Sequence, residues 1–194
     1  MNKPVIMFDV DGVLANFNGG YRKLVNKTFA LDVSLDKPAF WDDLPEGVTP
    51  AMDQEVWRII NKSEKFWLDL DPFVDREERA RISRMSNGYM MYFVTARGGI
   101  EPKKQTEAWL RYHVGITDPT VIVSNRKSEA ANALRANYAI DDKAGNVLQI
   151  YYNAPKTKAF IYDAPYNQYD HRVIGRRTIR VKTVTEFLDH VEGR

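Results

Sequence analysis

Val5-Ile6-Met7-Phe8-Asp9-Val10-Asp11-Gly12-Val13 is the stretch that decides how the rest of the chain is read. Four apolar residues in a row, with no polar alternation, suit a strand buried on both faces of a parallel sheet. The run stops on an aspartate, and a second aspartate follows two residues later beside a turn-forming glycine. Open α/β sheets bind ligands beyond the carboxyl ends of their strands, so both carboxylates stand at the expected mouth.

Further apolar runs follow at Tyr89 to Val94, Thr120 to Val123, Tyr138 to Ile140, Ala159 to Tyr162 and Thr178 to Val181. Helical spacing occupies the intervals between them: Val74 to Met85, Pro102 to Val114, Ser128 to Ala136, Gly145 to Tyr152 and Val184 to Val191. Gly88 and Gly115 stand where the first two helices should stop, and Thr183 with Glu186 forms a capping-box pattern before the last. Alternating strands and helices predict an α/β fold, an open parallel sheet with helices on both faces. Residues 16–71 break the alternation. They lack strand-like runs, are rich in aromatics, and hold a helix start at Thr49-Pro50. The expected organisation is a core of residues 1–15 and 72–194, with a small helical insertion, 16–71, over the sheet's carboxyl edge.

Composition narrows the function classes. Of 194 residues, 44% are hydrophobic and 28% charged, values of a globular domain rather than a disordered or fibrous chain. Cysteine is absent, which excludes disulfides, thiolate metal sites and cysteine nucleophiles. No apolar run approaches the ~18 residues of a membrane span, and no signal-peptide core precedes the first strand, so a soluble, cytoplasmic protein is expected. The net charge of +2 hides an asymmetry: Leu31 to Glu78 carries 13 acids against 5 bases, and the remainder +10. Arg172, Arg176, Arg177, Arg180 and Lys182 cluster near the end. An acidic segment is a poor clamp for a long phosphate backbone, so no long nucleic acid is expected. His113, His171 and His190 show no paired zinc-ligand spacing, and no glycine-rich dinucleotide or P-loop pattern occurs.

Polar residues collect at four strand ends. Besides Asp9 and Asp11, Thr95-Ala96-Arg97 follows the second run, Ser124-Asn125-Arg126-Lys127 the third, and Asp141-Asp142 the fourth. One ionised aspartate can attack phosphorus or hold a metal, and a second can reach the leaving oxygen as an acid. Clustered carboxylates repel one another and a phosphate dianion, so a hard cation such as Mg²⁺ is expected on oxygen ligands. Thr95 and the Ala96 amide can bond phosphate oxygens, Lys127 can neutralise developing charge, and Arg97 can add a bidentate phosphate contact. Neighbouring carboxylates would favour a protonated Asp11.

Asp9-x-Asp11-Gly12-Val13, Thr95, Lys127 and Asp141-Asp142, in that order, resemble the four motifs of the haloacid dehalogenase (HAD) superfamily of phosphatases. The resemblance implies Asp9 as nucleophile, Asp11 as general acid and then base, and Thr95 and Lys127 as phosphate ligands. It also implies Mg²⁺ held by Asp9, the Asp11 carbonyl and the acid pair, with Asp142 the direct ligand and Asp141 its partner. Within that superfamily, Asp9 to Gly20, Phe40-Trp41 and Phe66 to Pro72 are similar to the 5′(3′)-deoxyribonucleotidases. That similarity implies a nucleoside monophosphate substrate and a nucleotide pocket lined by Phe17, Phe40, Trp41 and Trp57. An aromatic wall suits a nucleobase, since stacking contributes about 1–3 kcal/mol per base. Ala96-Arg97-Gly98 stands where those enzymes usually carry Ser-Pro, so the resemblance does not extend to sugar or base preference. Asp163-Ala164-Pro165-Tyr166-Asn167 resembles a loop of bacterial relatives without an evident role. Phosphatase action on a sugar phosphate or a polynucleotide end, and a non-catalytic phosphate-binding or signalling role, stay open. A receiver domain carries its lysine last, whereas Lys127 precedes the acid pair.

Overall fold

The computed structural model describes residues 3–34, 44–168 and 178–194. Six strands, β1 (Val5–Phe8), β2 (Met90–Thr95), β3 (Thr120–Val123), β4 (Tyr138–Asp141), β5 (Lys158–Tyr162) and β6 (Thr178–Val181), form one parallel sheet in the order β3-β2-β1-β4-β5-β6. The expected α/β class and parallel sheet are therefore present. Period-two alternation sends Ile6 and Phe8 of β1 to one face and Met7 to the other. On the first face they meet Ile82, Trp109 and Phe187 from α3 (Arg76–Met85), α4 (Pro102–His113) and α7 (Val184–Glu192). On the second, Met7 meets Ala131, Val147 and Ile150 from α5 (Lys127–Ala133) and α6 (Ala144–Asn153). Both faces of β1 are thus covered, which is why its sequence is continuously apolar.

From β1 the chain builds outward to β2 and β3 on one side, then returns to add β4, β5 and β6 on the other. The order reverses between β1 and β4, and a crevice opens at such a switch point, beyond the carboxyl ends of the two strands. Asp9 directly follows β1, and Asp141 ends β4. The Asp9 N–H donates to Ile140 O at 2.9 Å, extending the pairing to the first aspartate itself.

Residues 16–71 contribute α1 (Phe17–Phe29) and α2 (Pro50–Lys62), with no strand among those described. The chain leaves and re-enters side by side: the Asn16 N–H donates to Asp71 O at 2.8 Å, and the Phe73 N–H to Leu14 O at 2.7 Å. Thr49 caps α2 as its sequence predicts, accepting from Met52 N. α3 starts later than Val74, because Asp75 is its cap and Glu78 closes a reciprocal capping box. α5 ends at Ala133 rather than Ala136, the chain turning through Arg135 in the left-handed region (φ 52°). At α7 only half of the expected box forms: Thr183 accepts from Glu186 N, but the Glu186 carboxylate takes the Lys182 N–H. Among the described residues no helix is long and apolar enough to cross a membrane.

Candidate active site

A cavity of about 350 Å³ opens at the carboxyl edge of the sheet, walled by Asp9, Asp11, Thr95 and Lys127 from the core and by Phe17 and Trp57 from α1 and α2. Ala96 and Arg97 also line it. Residues that follow β1, β2 and β3 therefore line one cavity, and the acid pair at the end of β4 adjoins them through Lys127. Asp9 is buried; its Oδ1 accepts the Val10 N–H at 2.6 Å, while its Oδ2 pairs with Lys127 Nζ. Lys127 also donates to Asp141 Oδ2 at 2.8 Å, so a single buried ammonium joins the ends of β1 and β4. Arg126, its sequence neighbour, is exposed and pairs with Glu129. Position 127 is thus the cation that points inward.

The acid pair at the end of β4 divides its duties. Asp141 is saturated: Oδ1 accepts the Lys143 N–H at 2.8 Å and Asn146 Nδ2 at 3.0 Å, and Oδ2 takes Lys127. Asp142 accepts the Tyr166 hydroxyl on Oδ2, whereas its buried Oδ1 has no hydrogen-bond partner among the described residues. Asn167 Nδ2 donates to the Asp142 carbonyl at 2.7 Å, while its Oδ1 accepts from Arg180, which also pairs with Asp163. The Asp163–Asn167 segment, without a role in the sequence, thus braces Asp142. Gly12 makes the approach possible: with φ +84°, a β-carbon there would lie 2.1 Å from Asp142 Oδ2.

Carboxylate oxygens of Asp9, Asp141 and Asp142 lie within 4.8 Å of one another. Burial pushes Asp9 well above the usual carboxylate range, and the charges of Asp141 and Asp142 add to the shift against the pull of Lys127. Burial, then Asp141, raises Asp142 to about 7. Burial alone would lower Lys127, but Asp141 and Asp9 outweigh it and hold the ammonium above its ordinary range. So much negative charge around one orphaned oxygen is the environment of a hard cation. The three carboxyl groups offer oxygen donors, which suit a hard cation better than a softer metal.

Asp11 lies differently from expectation. Its oxygens accept Thr95 Oγ1 at 3.0 Å and two nitrogens of Arg97, Nε at 2.9 Å and Nη2 at 2.8 Å. Arg97 therefore spends its fork on Asp11 rather than holding it open for a phosphate. Phe17 stacks between Trp57 (5.7 Å, 26°) and Trp67 (5.8 Å, 24°), and the Arg97 guanidinium sits 5.0 Å from the Trp67 ring centroid. Trp57 remains 37% exposed and lines the cavity. Phe40 and Trp41, expected in the same wall, lie outside the described residues, as do Arg172, Arg176 and Arg177. Sequence reasoning missed Trp67, Asn146 and the bracing function of Tyr166. Asn146 had a usable signal: it lies in the first turn of α6, five residues after Asp141.

A model of the family described as 5′ nucleotidase, deoxy (pyrimidine), cytosolic type C (NT5C) matches residues 3–183. A Staphylococcus epidermidis protein, provisionally named a 5′(3′)-deoxyribonucleotidase, is 26% identical over 197 residues, spanning 99% of both chains. Among solved structures, a HAD family hydrolase of Deinococcus radiodurans with bound phosphate and sodium superposes with a TM-score of 0.62 at 14% identity, covering 98% of this chain and 96% of its own. YfnB of Bacillus subtilis, provisionally assigned as a HAD hydrolase and solved bound to magnesium, gives 0.57 at 14% identity, with both chains fully covered. At these identities the structural likeness shows a shared HAD fold.

Proposed function

The chain belongs to the cytosolic type C 5′-nucleotidase family, with a HAD phosphatase fold, and on that premise we propose that it is a Mg²⁺-dependent phosphomonoesterase of nucleoside monophosphates, with deoxyribonucleotides the leading class. The observation that carries this reading is the meeting of Asp9, Asp11, Thr95 and Lys127 at one cavity with an aromatic wall. Residues 16–71 serve as the cap, and 1–15 with 72–194 as the catalytic core. The family's cytosolic type supports action in the cytoplasm.

Asp9 is the nucleophile. Its Oδ1 is fixed by the Val10 N–H, which leaves the Lys127-facing oxygen to attack phosphorus. The Thr95 hydroxyl, the Ala96 N–H and Lys127 bind the phosphoryl oxygens and offset charge that builds in transfer. As the bond from phosphorus to the leaving oxygen breaks, its electron pair stays on that oxygen, which takes the Asp11 proton. Asp11 then accepts a proton from the water that attacks phospho-Asp9, releasing inorganic phosphate and restoring both carboxyl groups. Asp9, Asp142 through its orphaned Oδ1, and the Asp11 carbonyl would hold Mg²⁺, with Asp141 keeping Lys127 in place. Bound there, the ion supplies charge neutralisation between nucleophile and phosphate. The base stacks on the aromatic wall that includes Phe17 and Trp57, with Phe40 and Trp41 assigned to the same wall.

Phosphate release from a panel of 5′- and 3′-nucleoside monophosphates, deoxy and ribo, alongside sugar phosphates, tests the substrate class. Metal-dependent release from deoxynucleotides, abolished by chelator, is the expected result. Release confined to sugar phosphates overturns the nucleotide assignment while keeping the chemistry.

Asp142 supplies a second test. Its folded value of about 7 lies above the ordinary 3.8, so the metal-free folded chain binds the extra proton between them. This contribution to stability is lost as the pH rises from about 4 through about 7. Mg²⁺ takes deprotonated carboxylates, so its gain in Tm should be larger at about pH 7.5 than at about pH 5.5. Calorimetry showing equal gains at both would count against Asp142 as a ligand.

A further inference from the structure

We propose that Arg97 is a positioning residue for Asp11 rather than a phosphate ligand, and that Trp67 and Thr106 hold it in that position. The proposal rests on the assignment of Asp11 as the general acid.

The side chain of Arg97 has no solvent exposure, against 14% for Asp11, and its fork meets both Asp11 oxygens. Two parallel N–H···O bonds fix the plane of a carboxylate as well as its distance, which a single-point cation does not. The third donor, Nη1, goes to Thr106 Oγ1 at 3.0 Å, and that hydroxyl in turn donates to Pro102 O at 2.7 Å. Thr106 thus fixes the guanidinium from the side away from Asp11.

Trp67 forms the floor. Its indole N–H donates to Gly98 O at 2.9 Å, and its main-chain N–H to Gln105 Oε1 at 3.1 Å. A guanidinium lying over a fixed indole face loses little freedom when it pairs. The same Trp67 ring stacks on Phe17, which stacks on Trp57, so the aromatic wall continues directly into the support of Asp11. Without Arg97, Thr95 alone among the described residues would hold the Asp11 carboxyl.

A phosphate ligand and an acid-positioning residue differ in what their loss does to different esters. The leaving oxygen of an alkyl phosphate needs a proton as its bond to phosphorus breaks. p-Nitrophenolate leaves without one. Loss of a phosphate contact slows both esters alike, whereas loss of acid positioning slows the alkyl ester selectively.

The experiment compares kcat and KM of the wild type, Arg97→Ala, Arg97→Lys and Asp11→Asn on p-nitrophenyl phosphate, thymidine 5′-monophosphate and glucose 6-phosphate. Whichever alkyl ester the wild type turns over, Arg97→Ala should lower its kcat by about 10-fold or more beyond any loss on the aryl ester, inside the range of general-acid effects. Arg97→Lys, which keeps the charge but not the fork, should show the same selectivity. Adding Arg97→Ala to Asp11→Asn should slow the alkyl ester little further. Should Arg97→Ala fail to fold, Arg97→Lys and Thr106→Val carry the comparison, the latter removing the Nη1 anchor together with the hydroxyl's bond to Pro102 O. Equal losses on aryl and alkyl esters, or an unchanged alkyl rate, would overturn the proposal. Turnover of glucose 6-phosphate alone would sink the nucleotide assignment and leave the Arg97 test intact.

Discussion

Asp9→Asn is expected to lower kcat for nucleoside monophosphates by about 10⁴-fold or more, because an amide oxygen is a poor nucleophile and acting groups of this kind fail as a unit. The same substitution should leave the metal-free protein as stable as the wild type, or more so. Burial and two neighbouring carboxylates disfavour the ionised form of Asp9, and an amide has no charge to bury. Lys127 would keep Asp141 as its partner. Phosphate release and calorimetry on one preparation separate this outcome from misfolding, which would lower both. Residual activity within tenfold of wild type would remove Asp9 from the chemistry.

Lys127→Met acts on the fold as well as the reaction. Its ammonium is the cation shared by Asp9 and Asp141, and all three side chains are buried. Removing one partner of a buried pair leaves uncompensated charge, typically at a cost of about 3–5 kcal/mol. In a chain of this size each kcal/mol shifts Tm by about 2–4 °C. Added Mg²⁺ can take over part of the neutralisation, so it should raise the Tm of the variant more than that of the wild type. Turnover should stay low even in the refolded, metal-loaded variant, since Lys127 also lines the cavity proposed to take the phosphate. Melts with and without Mg²⁺ check this; a variant as stable as wild type in chelator would contradict the buried bridge.

Local chemistry explains why much of this was legible in the sequence. Val5–Phe8 is apolar throughout because helices cover both sides of it, and every other strand ends where its apolar run gives way to polar residues. Position at a strand end then fixes which polar residues can meet, which is why Asp9, Thr95, Lys127 and Asp141 group together on topology alone. α1 was harder to read. Its buried face is Phe17, Tyr21 and Val25, spaced as a helix requires, but Gly19-Gly20 and a run of polar residues mask the pattern.

The partnership of Arg97 and Asp11 had no sequence signal. The two are 86 residues apart, and the direction of the guanidinium is set by Trp67 and Thr106 from two other segments. The same holds for Tyr166 on Asp142, where a distinctive loop was visible but the oxygen it restrains was not. Strand-end positions follow from topology, whereas side-chain pairings across loops follow from packing that only the folded chain specifies.

The most direct test of the account is to quench the enzyme during turnover of a deoxynucleoside monophosphate with borohydride and map the products by peptide mass spectrometry. An acyl phosphate is reduced to an alcohol, so homoserine at position 9 in the wild type, absent without substrate, is the predicted result. Full turnover with Asp9 recovered unchanged, or with the reduced residue at another carboxylate, would contradict it.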